Sequence, residues 1–260
     1  MKNLSFLILI ISIFQLNLSG QKSLSIAAVS NAPVVDGVIK PGEWDETEPG
    51  GGFIQLEPAK GSPASVQTEV YSLSDSLNIY FAFICKQGSD FPITANIQRR
   101  DKVQGSDDAV LMILDTYGDN RSAYGFTVNP MGTQTDYKIT DDGRNINYEW
   151  DIEWEASASI TPEGWVCEVA IPFASIKYKS SAEVWGVNFG RVLVSNSEIS
   201  WWSGEMCDNY RISQGGSMKG IVPPSKPKRL MIFPYASLRY ENSDITNRHN
   251  ELIPDAGGDV

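Results

Sequence analysis

A hydrophobic period of two recurs through most of this chain, and it commits the chain to pleated sheet. Val66-Gln67-Thr68-Glu69-Val70-Tyr71 alternates, and Leu77–Ile84 is a run of aromatic and branched residues. Further strands are predicted at Ala109–Asp115, Tyr124–Asn129, Thr133–Lys138, Trp154–Ile160, Trp165–Ile171 and Trp185–Val194. Turn chemistry separates them: Asp75-Ser76, Pro130-Met131-Gly132 and Pro162-Glu163-Gly164 read as hairpin connections. Helical period is nearly absent, and Gly42–Asp45 and Ala174–Ile176 read as single helical turns. Short strands at this spacing predict an all-β fold, an antiparallel β-sandwich of jelly-roll type. With neither a glycine-rich phosphate loop nor strand–helix alternation, the pattern excludes a nucleotide-binding fold.

The two ends break this pattern. Lys2 is followed by the apolar run Leu4–Phe14 and the small residues Ser19-Gly20. That run is shorter than the about 20 residues of a membrane span, so residues 1–20 read as a secretory signal cleaved near Gly20-Gln21. Residues 21–222 form the sandwich. Residues 223–260 begin as a proline-rich, basic linker ending at Arg229, followed by one strand-like stretch, Leu230–Tyr240, and a polar remainder. A lone strand beyond a linker is not a stable domain.

Composition removes several functions. The chain has one histidine, His249, so a multi-histidine zinc site has no ligands, and a Ser-His-Asp triad would need that residue. Lys and Arg total 21 against 32 Asp and Glu, a net charge of -11, which disfavours nucleic acid as a partner. Of three cysteines, Cys85 and Cys167 sit in strand patterns and read as small buried hydrophobes, and Cys207 lies in a loop.

Seven tryptophans remain as candidate chemistry. Trp154, Trp165 and Trp185 suit the space between two sheets. Trp201 and Trp202 are adjacent and face opposite ways in a strand, so at most one enters the core. The other is expected on the surface, where an indole stacks on a pyranose ring. Arg99 and Arg100 can bind sugar hydroxyls or form ion pairs. Asp107, Asp108 and Asp115 are hard-oxygen donors that suit calcium. Asp151, Glu153 and Glu155 alternate along one side, and Glu153 or Glu155 with Asp107 could supply a glycosidase's carboxylate pair.

An ordered series of motifs carries a resemblance. It runs through Ala32-Pro33-Val34-Val35-Asp36-Gly37, Gly42-Glu43-Trp44, Thr68-Glu69-Val70, Leu77–Phe83, Arg99-Arg100-Asp101 and Asp107-Asp108. It continues through Phe126–Gly132, Trp154-Glu155-Ala156, Gly164–Phe173 and Trp185–Arg191. Over Ile26 to Ile221 the chain resembles a family-nine carbohydrate-binding module. The resemblance implies a non-catalytic sandwich that binds glucan or xylan ends between stacking tryptophans, with arginine on the hydroxyls and calcium held structurally. It places Arg99 or Arg100, and Trp201 or Trp202, at the ligand; no second stacking tryptophan has a match. The resemblance is strongest to exported bacterial proteins in which this module precedes an outer-membrane β-barrel-like domain.

The leading expectation is therefore an exported, non-catalytic binder of cellulose- or xylan-type oligosaccharides that requires no cofactor. Its destination is the periplasm, the outer membrane or the exterior. The alternatives are an interaction domain of an outer-membrane barrel protein and a glycoside hydrolase.

Overall fold

The structure, a computed structural model, describes residues 21–102, 105–204, 206–224, 233–243 and 248–259. The expected signal segment and most of the linker lie outside them. The chain divides into two compact units, Met1–Pro224 and Ser225–Val260.

The first unit is built of strands. They are β1 (Ser23–Ser25), β2 (Ala27–Ala28), β3 (Ile54–Glu57), β4 (Thr68–Ser74), β5 (Asn78–Lys86), β6 (Ala109–Asp115) and β7 (Ala123–Val128). Then come β8 (Gln134–Thr140), β9 (Asn145–Asn147), β10 (Glu155–Thr161), β11 (Gly164–Pro172), β12 (Val184–Leu193), β13 (Glu198–Trp201) and β14 (Gly216–Lys219). The larger sheet runs β1-β14-β12-β6-β7-β8-β9, with β13 on β12 and β3 on β13. The smaller runs β10-β11-β5-β4-β2. Pairing is antiparallel except at β1–β14 and β2–β4. The expected hairpins form: Asp75 closes β4–β5 by accepting the Leu77 and Asn78 N–H groups at 2.7 Å. The stretches read as helical turns, at Gly42 and Ala174, are turns without helix.

Alternation sets the core between the sheets. Val110, Met112 and Leu114 of β6 face Phe81 and Phe83 of β5 and Val169 and Ile171 of β11. Phe189 sits edge-on to Phe81 and Phe83, with centroids 5.5 and 5.8 Å apart. Trp154, Trp165 and Trp185 are buried here, as are Cys85 and Cys167. Burial pushes the Cys85 thiol up to about 11, and Cys207 is exposed.

The outward residues of β6, Ala109, Leu111 and Ile113, are buried too, because irregular chain covers the back of the larger sheet. The back of the smaller sheet is covered in the same way by Val29, Val35, Ile39 and Trp44. Buried Glu168 holds that cover down. It accepts the Trp44 Nε1–H at 3.0 Å and the Gly37 and Asp36 N–H groups at 2.9 and 3.2 Å.

The second unit corrects the expectation of a lone strand. β15 (Phe233–Ser243) pairs antiparallel with β16 (Arg248–Asp259). β16 carries Pro254, Gly257 and Gly258, residues that depress strand propensity, so its period was masked.

Candidate functional site

Trp201 and Trp202 alternate as expected but neither is exposed. Trp202 is 2% exposed and packs in the inter-sheet core, its centroid 5.5 Å from that of Phe189. Trp201 points to the back of the larger sheet and is 0% exposed. It lies over Gly190 of β12, its cross-strand partner, under a loop that carries Met206, Asn209 and Tyr210. The expected indole platform is therefore absent at these two positions. Alternation decides which face a residue takes, whereas exposure depends on what lies over that face.

Beside Trp201 the back of the larger sheet opens into a cavity of about 230 Å³. Its floor is a row across three strands: Ile199 of β13 pairs with Val192 of β12, which pairs with Ala109 of β6. Leu111 and its partner Thr127 of β7 continue it. Tyr137, Tyr148, Tyr210 and Asn209 rise around this floor. Tyr137 comes from β8 and lies over Gly125, its partner on β7. Its ring sits 5.2 Å from Tyr148 and 5.7 Å, edge to face, from Tyr210. Burial pushes the Tyr137 and Tyr210 phenols up; the neighbouring Tyr210 adds to it at Tyr137 and the neighbouring Tyr148 at Tyr210, so both stay neutral hydrogen-bonding groups. The Tyr137 hydroxyl is 3.3 Å from Thr127 Oγ1. Tyr148 is 37% exposed and presents its ring at the rim.

Trp201 acts beneath this site. Its Nε1–H donates to Asn209 Oδ1 at 3.2 Å, and its ring meets Tyr210 edge-on at 6.1 Å. The β8–β9 turn holds the same loop from the other side. Asp142 accepts the Ser213 N–H at 2.9 Å, the Ser213 hydroxyl at 2.8 Å and the Arg211 guanidinium at 3.2 Å. Gly143, at φ +86°, lies against the Tyr210 carbonyl, where a Cβ would come within 2.5 Å. Burial opposes ionisation of Asp142, but the Ser213 and Arg211 donors outweigh it and hold the carboxyl below its usual value. The stability it contributes is thus present above the ordinary 3.8 and lost as pH falls through the depressed value. Asp142→Ala is expected to cost about 1 kcal/mol at pH 7. In thermal melts taken down an acid series, the gap from wild type should close below pH 4. A constant gap would show that the carboxylate does not clamp the loop.

The expected arginines lie elsewhere. Arg100 donates to Gln134 Oε1 at 2.6 Å, Asp136 Oδ1 at 2.8 Å, Asp151 Oδ1 at 3.0 Å and the Ile152 carbonyl at 2.8 Å. Asp136 also accepts the Trp154 Nε1–H at 3.1 Å, and burial pushes its carboxyl up against these donors. The Arg100 guanidinium is spent joining β8 to the 151–154 segment. Arg99 is exposed and, like Arg100, is absent from the residues lining the tyrosine cavity. Glu153 and Glu155 line an open cleft with Arg100, Asp151 and Pro172. Asp107 is fully buried and does not line that cleft, so the structure does not assemble the expected carboxylate pair.

The three calcium candidates do not form one site. Asp107 and Asp108 precede β6 and Asp115 ends it, roughly 20 Å away at strand rise. Asp107 accepts the Asn96 and Ile97 N–H groups and the Asn129 amide at 2.7–2.9 Å. Asp108 accepts from the Gln87 amide, Thr94 N–H and Val194 N–H at 2.8–3.2 Å. Asp115 accepts the N–H groups of Tyr117, Gly118, Asp119 and Asn120. Donor hydrogens thus point at both oxygens of Asp108 and Asp115 and at Oδ2 of Asp107, whose buried Oδ1 has no partner, whereas a calcium ion takes 6–8 oxygens. Among the described residues no group of three or more acidic, cysteine or histidine side chains is placed to hold a metal.

No protein-family model matches the sequence, and no curated protein matches it. Solved structures share the fold. A family-nine carbohydrate-binding module from Caldicellulosiruptor kristjanssonii, in complex with cellotriose, aligns with a TM-score of 0.51 at 17% identity, over 81% of this chain and 98% of that one. A Bacteroides uniformis protein assigned to carbohydrate binding aligns with a TM-score of 0.59 at 15% identity, over 77% of this chain and 99% of that one. At these identities the likeness establishes the fold: the first unit has the β-sandwich of family-nine carbohydrate-binding modules.

Proposed function

We propose that this chain is an exported, non-catalytic carbohydrate-binding module that holds a sugar of a cellulose- or xylan-type oligosaccharide in the tyrosine cavity. The observation that carries this reading is the cluster of three phenols around Thr127 and Asn209 on the back of the larger sheet. Aromatic rings cover the apolar face of a pyranose, and hydroxyl and amide groups pair with its equatorial hydroxyls. The fold it shares with a module solved with cellotriose supports the same reading. A cavity this small makes few contacts, so affinity is expected between about 10 μM and 1 mM.

The test is titration of the full chain with cello- and xylo-oligosaccharides, followed by heat and amide chemical shifts. Tyr148→Ala should weaken binding about tenfold while leaving the fold intact, since its ring is at the rim. Leu77→Ala, in the exposed β4–β5 turn, should bind as wild type. Silence of every amide around the cavity at millimolar sugar would remove the reading.

The hairpin unit favours a second reading, association with an outer-membrane barrel. By register, Ala236, Leu238 and Tyr240 share a face with Ala256, Pro254 and Leu252. Ser237 and Arg239 share the other with Asp255 and Ile253. Leu238, Tyr240 and Leu252 are exposed. One apolar and one polar face on strands of 11 and 12 residues fit the pattern of a membrane β-strand, which needs about 9–11. Flotation of the full chain with liposomes, abolished by Leu238→Glu, would support it; loss of neither binding nor flotation on that change would count against it.

A further inference from the structure

The floor and the rim of the tyrosine cavity differ in chemistry. Ile199, Val192, Ala109 and Leu111 present only methyl and methylene groups from adjacent strands. Hydrogen-bonding atoms stand at the sides: the phenols, Thr127 Oγ1 and Asn209, whose Oδ1 already accepts from Trp201. Among the described residues no Asp, Glu, Lys or Arg lines the cavity. A carboxylated sugar would lose hydration there without a counter-charge. The volume of about 230 Å³ lies below that of pockets for drug-sized ligands, so it suits one ring.

We infer that the cavity selects an uncharged sugar bearing a methyl group, a 6-deoxyhexose or an acetylated sugar, seated with the methyl on the Ile199–Val192–Ala109–Leu111 floor. This rests on the carbohydrate-binding reading and changes its ligand: unsubstituted glucan and xylan units carry no methyl group, whereas an acetylated xylan satisfies both. A hydroxymethyl group in the same place would bury a hydroxyl against four aliphatic side chains with nothing to bond. The methyl loses no partner and gains contact. The sugar's remaining hydroxyls then lie level with Thr127, Asn209 and the phenols.

The experiment compares matched ligands on the full chain by titration calorimetry and amide shifts. One arm sets L-fucose against L-galactose, which differ only by the hydroxyl at C6. A second sets N-acetylglucosamine against glucose, and a third uses glucuronate. The methyl-bearing member of at least one pair should bind about tenfold tighter, with shifts at Val192 and Ile199, and glucuronate should not bind. The first two arms separate a ring methyl from an acetyl methyl. Val192→Thr, which replaces a floor methyl by a hydroxyl at nearly constant shape, should erase that preference, with Ile199→Thr as the second variant. Equal binding within both pairs, or binding of glucuronate, overturns the inference while leaving the carbohydrate reading standing. No response to these sugars or to cello- and xylo-oligosaccharides overturns both.

Discussion

Gly125→Ala is expected to lower stability by about 3 kcal/mol and to abolish sugar binding. A Cβ at Gly125 would stand 2.0 Å from Tyr137 Cε2 and 2.5 Å from its Cδ2 and Cζ, far inside any real contact. The obstacle is the body of a buried ring held between Gly125, Tyr148 and Tyr210, not the far end of a flexible side chain. Either the ring leaves its site or β7 and β8 separate at the Gly125–Tyr137 pair. Overpacking costs typically 1–3 kcal/mol, and loss of the ring's burial adds to it. For a domain of this size the melting temperature should fall by roughly 6–12 °C. The control is a double-mutant cycle. In a Tyr137→Ala background the alanine at 125 has space, so it should cost almost nothing further. Additive costs would show that Gly125 matters for some reason other than the ring above it.

Asp108→Ala is expected to be costlier still, about 4 kcal/mol. Asp108 receives three donors in a place closed to water: the Gln87 amide at 2.8 Å, Thr94 N–H at 3.2 Å and Val194 N–H at 2.8 Å. The same Gln87 turns its oxygen to buried Arg191, whose guanidinium also donates to the Val192 carbonyl at 2.7 Å and lies 4.8 Å over the Trp165 ring. The carboxylate thus orients Gln87 and supplies the counter-charge for a buried cation one amide away. Its removal strands three donors and leaves that cation uncompensated, the situation in which a broken buried pair costs about 3–5 kcal/mol. Calorimetric melts of the variant and the wild type check the size. A chelator distinguishes this role from metal binding. If hydrogen bonding is the role of Asp108, excess EDTA leaves the wild-type melting temperature unchanged. A fall of several degrees that calcium restores would establish a metal ligand instead.

Much of the sandwich was legible because strand period and turn chemistry are local. Asp75-Ser76, Pro130-Met131-Gly132 and Pro162-Glu163-Gly164 each close the hairpin their residue types demand. Placing Trp165 and Trp185 between the sheets needed only their position in apolar strands. The tyrosine site was not legible in this way. Tyr148 and Tyr210 sit in turns, where no period operates, and only Tyr137 is on a strand. A signal did exist. Gly125 and Gly190 interrupt apolar strands, and a glycine inside a strand marks a close approach, here of Tyr137 and Trp201 from the neighbouring strand. The separation of Asp108 from Asp115 was also readable, since a seven-residue strand holds its ends apart.

The sequence by itself determined the class of fold, the hairpins, the inward face of each long strand and the opposed directions of Trp201 and Trp202. These follow from steric and hydrophobic preferences of residues close along the chain. Only the tertiary structure decided what is exposed. Irregular segments, one bearing Trp44 and held by Glu168, one bearing Asn209 and Tyr210 and held by Asp142, lie across the backs of the two sheets. They bury the indoles that period alone left open to solvent and, of the three phenols, leave Tyr148 exposed at the rim. Their docking depends on contacts between residues far apart in the chain, which no local pattern encodes.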